Sequence, residues 1–328
     1  MKDVHLRWID AAKGVGIVLV VYGHVARGLL NAGLDAGPWM KMLDAVIYSF
    51  HMPLFFILSG YLLEGSVVRH GWNLVAKRAG SLLYPFVVWS LLQGGIEVLL
   101  SRHKNFPVSI EDVLLGLIFP RQQFWYLYAL FFLTAASIPL LVRRRSPYVL
   151  TLFFAGAACA AVYLDLPVFI PPLAYVAGYW VFILFGVLLC RYGVLEVLRS
   201  YWVGLALMAT GAQFLLLDYQ SVALAGHSWL WLGMALLCAC AVVAVCLKMP
   251  PGLQGPLCLL GAASLEIFLM HVIFAAGIRI VLMNVFGIRS AVLHLVLGVL
   301  AGLVLPCLIK RLAANVWGGG SRQPRWFR

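Results

Sequence analysis

Apolar stretches long enough to cross a bilayer as helices follow one another along nearly the whole chain, and no other feature limits the fold as strongly. A hydrocarbon core about 30 Å thick needs roughly 20 helical residues at a rise of 1.5 Å. Such windows cover residues 11–30, 43–63, 81–101, 124–142, 148–164, 170–190, 199–217, 226–247, 258–278 and 286–311. The runs are continuous rather than alternating, which selects helices over a barrel, because each spanning helix satisfies its own backbone. The expected fold is an all-α polytopic bundle of about ten transmembrane helices.

Composition agrees: 63% of the 328 residues are hydrophobic and only 11% charged, whereas a soluble domain carries about 25%. The formal charge of +12 would suggest nucleic acid in a soluble protein. Here the basic residues sit in short loops between apolar runs, so the charge reports topology and no nucleic-acid partner is expected. Lys2, Arg7, Arg69, Lys77, Arg78, Arg143, Arg144, Arg145, Arg191, Arg199, Lys248, Lys310 and Arg311 fall on one side, together with the C-terminal arginines. The positive-inside rule then puts both termini in the cytoplasm. Residues 1–315 read as one transmembrane domain and 316–328 as a cytoplasmic basic tail. The first span is expected to stay uncleaved, since no small-residue cleavage site precedes a polar region. The longest connection, 102–123, faces outward and holds a short interfacial helix near Ile110. The seven cysteines lie in or beside apolar runs without CxxC spacing and read as small hydrophobes, and no metal site is expected.

Ionisable residues at membrane depth are costly, so each is a functional candidate. The first span holds Asp10, Lys13 and His24, which share one face at about 100° per residue. An interfacial pairing of Asp10 with Lys13 is equally open; His24, among Val, Leu and Ile, needs a partner. The second span carries His51, then Pro53, which should kink the helix, and Ser59-Gly60, which also fits a close helix contact. The ninth carries Glu266 and His271. From the inner span ends, His24, His51 and His271 all lie at about 18 to 20 Å, with Glu266 at about 12 Å. Lys13, Ser59 and Arg78 lie near the cytoplasmic boundary. This pattern suggests an imidazole-lined chamber with a cationic inner mouth, suited to an anionic cytoplasmic cofactor. Glu97, with Gln93 one turn earlier, reads as snorkelling to the outer interface. The run from Phe124 through Trp125 and Tyr126 to Tyr128 reads either as an aromatic belt or as a carbohydrate-stacking platform. No Walker loop, HExxH or GxSxG occurs.

These residues resemble the membrane-bound acyltransferase-3 family, in its fucose 4-O-acetylase-like branch. The resemblance rests on Asp10-x-x-Lys13-Gly14 to Gly23-His24, on Phe50-His51-Met52-Pro53-Leu54-Phe55-Phe56-x-x-Ser59-Gly60-Tyr61, and on Lys77-Arg78 leading to Pro85. Phe124-Trp125-Tyr126-Leu127 and Ser264-x-Glu266-Ile267-Phe268-Leu269-x-His271 complete it. It implies a ten-helix bacterial inner-membrane enzyme that moves an acyl group, usually acetyl from acetyl-CoA, onto a hydroxyl of an envelope or surface carbohydrate or lipid-linked glycan. The basic residue eleven before the histidine is often Arg in the family; Lys13 keeps the charge without bidentate phosphate recognition. Many relatives carry a C-terminal esterase-like domain. This chain ends at Arg328 without one, so any second transfer step is expected either to need another protein or not to occur.

Acyl transfer to an alcohol needs a base and a stabilised tetrahedral intermediate. His24 is assigned as the base, with Asp10 or Glu266 to orient or charge-stabilise an imidazole. His271 or His51 would polarise the carbonyl or contact the acceptor, Trp125 and Tyr126 would bind it, and Lys13, Arg78 and Ser59 would hold the cofactor. The competing reading is a proton-coupled transporter or flippase, which predicts inverted halves with matching broken helices; apart from Pro53 and Pro171-Pro172 no such breaks are found.

Overall fold

The computed structural model describes residues 7–99, 108–143, 145–164, 170–215 and 228–316. Every regular element among them is helical. In chain order these are α1 (Arg7–Asn31), α2 (Pro38–His70), α3 (Leu74–Arg78), α4 (Tyr84–Leu99), α5 (Ile110–Leu115), α6 (Trp125–Val142) and α7 (Pro147–Tyr163). Then come α8 (Pro171–Arg191), α9 (Leu195–Ser200), α10 (Trp202–Leu215), α11 (Trp229–Lys248), α12 (Pro251–Ala262), α13 (Ser264–Asn284) and α14 (Ala291–Val316). Seven helical stretches of the described residues are long and apolar enough to cross a membrane, and the protein is a polytopic helical membrane protein. One stretch, Pro38–Leu99, is 62 residues long and takes in the predicted window 43–63 and residues 81–99 of the next; it turns at Gly71, whose φ of +52° suits glycine. Two shorter apolar helices, Pro147–Tyr163 and Trp202–Leu215, cover two more. Residues 1–6, 100–107, 144, 165–169, 216–227 and 317–328, the last including most of the basic tail anticipated over 316–328, lie outside the described residues.

The chain forms two compact units, Met1–Leu58 with Gly193–Arg328, and Ser59–Tyr192; the boundary falls inside α2. In the first unit α1 packs against α11, α12, α13 and α14. Helices in lipid gain little from apolar burial against each other, so small residues that admit close approach decide which faces meet. A Cβ on Gly14 would run into the backbone carbonyl of Leu257, and one on Gly261 into that of Asp10. Thus α1 and α12 touch backbone to backbone. On another side of α1, a Cβ on Gly23 would come within 2.8 Å of the Tyr48 ring, and one on Gly16 within 2.8 Å of Phe55, both on α2. Gly298 and Gly302 of α14 back onto Val25 and Val21.

The ninth predicted span, 258–278, is two helices here, with the break at Ala263 (φ −105°, ψ 12°). The break lets Gly261 seat against α1 while α13 starts afresh at Ser264. Depth measured from residue 258 therefore does not apply to His271. Pro53 lies inside an uninterrupted α2.

In the second unit α7 packs on α8, α8 on α6, and α4 on α5. Ahead of α4 the helix widens into a π turn over Ala79–Leu83. Pro85 has no N–H to offer the Ser81 carbonyl, which favours that widening. A short helix does form near Ile110: α5 is begun by a capping box in which Ser109 and Asp112 bond reciprocally. The Ser109 backbone and hydroxyl donors hold the Asp112 carboxyl below its ordinary range.

Candidate active site

Three helices of the first unit bring imidazoles together. The rings of His24 on α1 and His271 on α13 lie 5.1 Å apart, centroid to centroid, at 61°. His271 is fully buried. Its Nδ1 is 2.9 Å from the carbonyl oxygens of both Ile267 and Phe268, one turn back on its own helix. A carbonyl only accepts, so Nδ1 carries the proton and Nε2 is left as a lone-pair acceptor. That Nε2 is buried without a hydrogen-bond partner. Gly302 makes room for this helix: its added Cβ would sit 3.4 Å from the His271 Cβ.

His51 repeats the arrangement. It is 3% exposed, and its Nδ1 donates to the Ile47 carbonyl at 2.7 Å. Its ring lies 4.6 Å from that of Tyr48. The other partner of Tyr48 is the Arg27 guanidinium, 3.1 Å from the ring centroid, which is itself locked on Asp44 by Nε and Nη2 bonds of 2.9 to 3.0 Å. His51 and Arg27 both lie within electrostatic reach of His24. His24 differs from the other two: it is partly exposed and forms no hydrogen bond with the described residues. Two imidazoles are sealed and fixed in tautomer, and the third is neither.

The carboxylates stand elsewhere. Glu266, 3% exposed, is paired with Lys310 of α14 at 2.8 Å, and Lys310 also bonds the Ala262 carbonyl. Asp10 lies 3.9 Å from Lys13, about 21 Å along α1 from His24. The neighbour that the fold gives His24 is thus His271, whereas the two carboxylates expected to orient an imidazole are engaged with lysines.

The second unit collects Ser59, Arg78 and Tyr126. The Tyr126 side chain hydrogen-bonds Ser59 and lies within electrostatic reach of Arg78. The Arg78 Nε is buried without a hydrogen-bond partner. Gly60, next to Ser59, abuts the backbone carbonyl of Ile183, so the Ser59-Gly60 pair is both a helix contact and a polar one. Trp125 stacks on Tyr175 at 5.6 Å and 27° and lies 5.3 Å from Tyr179.

Glu97 does not snorkel. It is 9% exposed and joins a network with Gln93, Gln122, Gln123 and, at 3.8 Å, Arg121. The glutamines at 122 and 123 were not singled out in the sequence; their signal was the flanking of an apolar window by side chains able both to donate and to accept.

A family profile described as an acyltransferase domain matches residues 6–311. The chain belongs to the acyltransferase-3 family. Two relatives are nodulation protein NolL of Mesorhizobium japonicum, 39% identical over 110 residues, and nodulation protein NolL of Sinorhizobium fredii, 39% identical over 84 residues. These stretches cover 33% and 25% of this chain, and 28% and 23% of the relatives, so the chain spans about a quarter of the length of the curated relatives it matches. No solved structure matches it.

The acyltransferase-3 match takes in every residue assigned above, from Asp10 to His271. Among the described residues no three His, Cys, Asp or Glu side chains converge on a metal geometry.

Proposed function

We propose that the protein is an integral membrane O-acyltransferase of the bacterial inner membrane. It moves an acetyl group from cytoplasmic acetyl-CoA to a hydroxyl of an envelope or surface carbohydrate, as the fucose 4-O-acetylase-like resemblance implies. The observation that carries this reading is the pairing of one open imidazole, His24, with a sealed one, His271, whose only free atom is an acceptor. His24 takes the proton from the acceptor hydroxyl as its oxygen attacks the thioester carbonyl. The tetrahedral intermediate collapses, the C–S bond breaks, and the imidazolium returns the proton to the departing thiolate. The His271 Nε2 receives the other ring N–H of His24 and steadies the imidazolium, the role a carboxylate plays in a serine-protease triad. An imidazole partner adds no charge to an already costly site.

Lys13, with Asp10 beside it, carries charge suited to the phosphates of the donor; so, in the second unit, does Arg78, with Ser59 and Tyr126 around it. His51 is assigned to the acceptor side, together with Trp125 and Tyr126. The similarity to nodulation proteins supports the family and leaves the acceptor to experiment.

The test uses purified full-length protein with radiolabelled acetyl-CoA and candidate glycans or lipid-linked sugars. Label should move to a hydroxyl in the wild type and stay on the donor in His24→Ala. Transfer at the wild-type rate in a folded His24→Ala protein would remove His24 from the mechanism.

A further inference from the structure

The network around Glu97 is built for a ligand that offers paired hydroxyls. Gln93 and Glu97 sit one turn apart on α4, and α5 closes over them where Gly94 meets Val113. Facing them is the turn Gln122–Phe124, which leads directly into Trp125. Gln122 is exposed, yet its side chain bridges the buried pair: its Oε1 accepts from the Gln93 Nε2 at 2.5 Å, and its Nε2 donates to the Glu97 Oε1 at 2.5 Å. To do so its backbone takes a φ of +49°, the one positive value among the described non-glycine residues, a conformation that L side chains disfavour.

Beneath it, Gln123 is 2% exposed. Its Nε2 donates to the Gln93 Oε1 at 2.9 Å, while its own Oε1 is buried without a partner. Turning the amide over only changes which atom goes unpaired. A buried polar atom left unsatisfied inside an otherwise bonded cluster calls for a missing donor. A primary amide presents one donor and one acceptor side by side. Two neighbouring hydroxyls of a pyranose present the same, with a further donor to spare.

We propose that Gln93, Glu97 and Gln123 form the polar floor of a pyranoside subsite. Gln122 is the side chain that a vicinal diol displaces, and the Trp125–Tyr175 stack is the apolar flank. The inference rests on the reading above that the acceptor is a carbohydrate, and it names where that ring is held. Displacing Gln122 frees its strained backbone, gives Glu97 and Gln93 hydroxyl partners, and supplies the donor that Gln123 lacks.

The experiment measures binding without any acyl donor, so that it stands apart from the transfer chemistry. Full-length protein in detergent is titrated with methyl α-D-glucopyranoside, methyl α-D-galactopyranoside and methyl α-D-mannopyranoside, and with trans-1,2-cyclohexanediol against cyclohexanol, by saturation-transfer NMR. At least one pyranoside and the diol should bind and cyclohexanol should not. Gln123→Leu and Glu97→Gln should weaken pyranoside binding by about tenfold or more, whereas Gln122→Ala should tighten it severalfold. His24→Ala should bind as the wild type does. Failure of all three pyranosides, equal binding of cyclohexanol, or weaker binding in Gln122→Ala would overturn the subsite. Gln122→Ala changes an exposed side chain, so it decides the matter even if a buried variant fails to fold. If binding follows the proposal but no label moves from acetyl-CoA, the transfer reading fails and the subsite stands; if label moves and these variants bind alike, the reverse holds.

Discussion

The imidazole cluster of the first unit and the amide–carboxylate cluster of the second are both buried and polar, but they are held in opposite ways. His51 and His271 are each pinned by carbonyls of their own helix one turn back. Neither needs another element to fix its protonation, and His271 keeps its Nε2 unspent. Gln93, Glu97, Gln122 and Gln123 are pinned by each other, across separations of 25 to 30 residues. Local pinning leaves a reactive lone pair available for chemistry. Mutual pinning makes a surface of alternating donors and acceptors, which suits recognition. The carboxylates follow the same division: Glu266 is neutralised by a lysine, and Glu97 is satisfied chiefly by amides.

Substitutions can break this contrast. The largest effect is expected at His24→Ala, with kcat for acetyl transfer falling on the order of 10²- to 10⁴-fold while pyranoside binding holds. A parallel loss of binding would mean that the two clusters are not functionally separate. His271→Gln, which keeps a polar side chain but loses the fixed acceptor, should lower kcat by a smaller amount, about 10²-fold, with little change in donor KM. Lys310→Met leaves Glu266 buried and unpaired; since Lys310 is partly exposed, the loss should be about 2 kcal/mol rather than the full value for a sealed pair. It is read as a lower Tm in detergent, and Glu266→Gln on the Lys310→Met background should restore most of it. Gln122→Ala, by contrast, should move Tm little. Lys13→Ala should raise donor KM about tenfold and leave acceptor preference alone.

The smallest effect concerns pH and lies outside both clusters. The Asp112 carboxyl is held below its ordinary range, so its support for α5 is complete above about pH 4. It disappears as pH falls through the lowered value. The Asp112 carboxyl ¹³C shift should therefore titrate lower than that of a free aspartate, and the Ser109 amide should follow it.

Much of this was legible without coordinates. Among the described residues helix covers most of each apolar window, because a spanning segment must be long, continuous and apolar. The histidines stood out because an imidazole among Val, Leu and Ile is rare. What the sequence hid was contact. Gly14 and Gly23 flank Lys13 and His24 in the motif, but only the structure shows them as the places where Leu257 and Tyr48 come against α1. Glu97 looked like a side chain reaching for the interface, since a carboxylate near a span end usually does. Nothing local tells that the glutamines 25 residues later fold back over it. The break at Ala263 was also invisible, because small residues in an apolar run satisfy the pattern of one long helix and of two short ones alike.

The ties from His51 to Ile47 and from His271 to Ile267 and Phe268 have a consequence for biogenesis. Each is closed within a single turn of a single segment, so it forms once that turn is wound, whether or not its neighbours exist. During synthesis α2 can therefore enter the bilayer with its imidazole already masked as a neutral, half-satisfied group, long before the polypeptide of α13 has left the ribosome. Insertion and readiness for proton transfer are served by the same short bond.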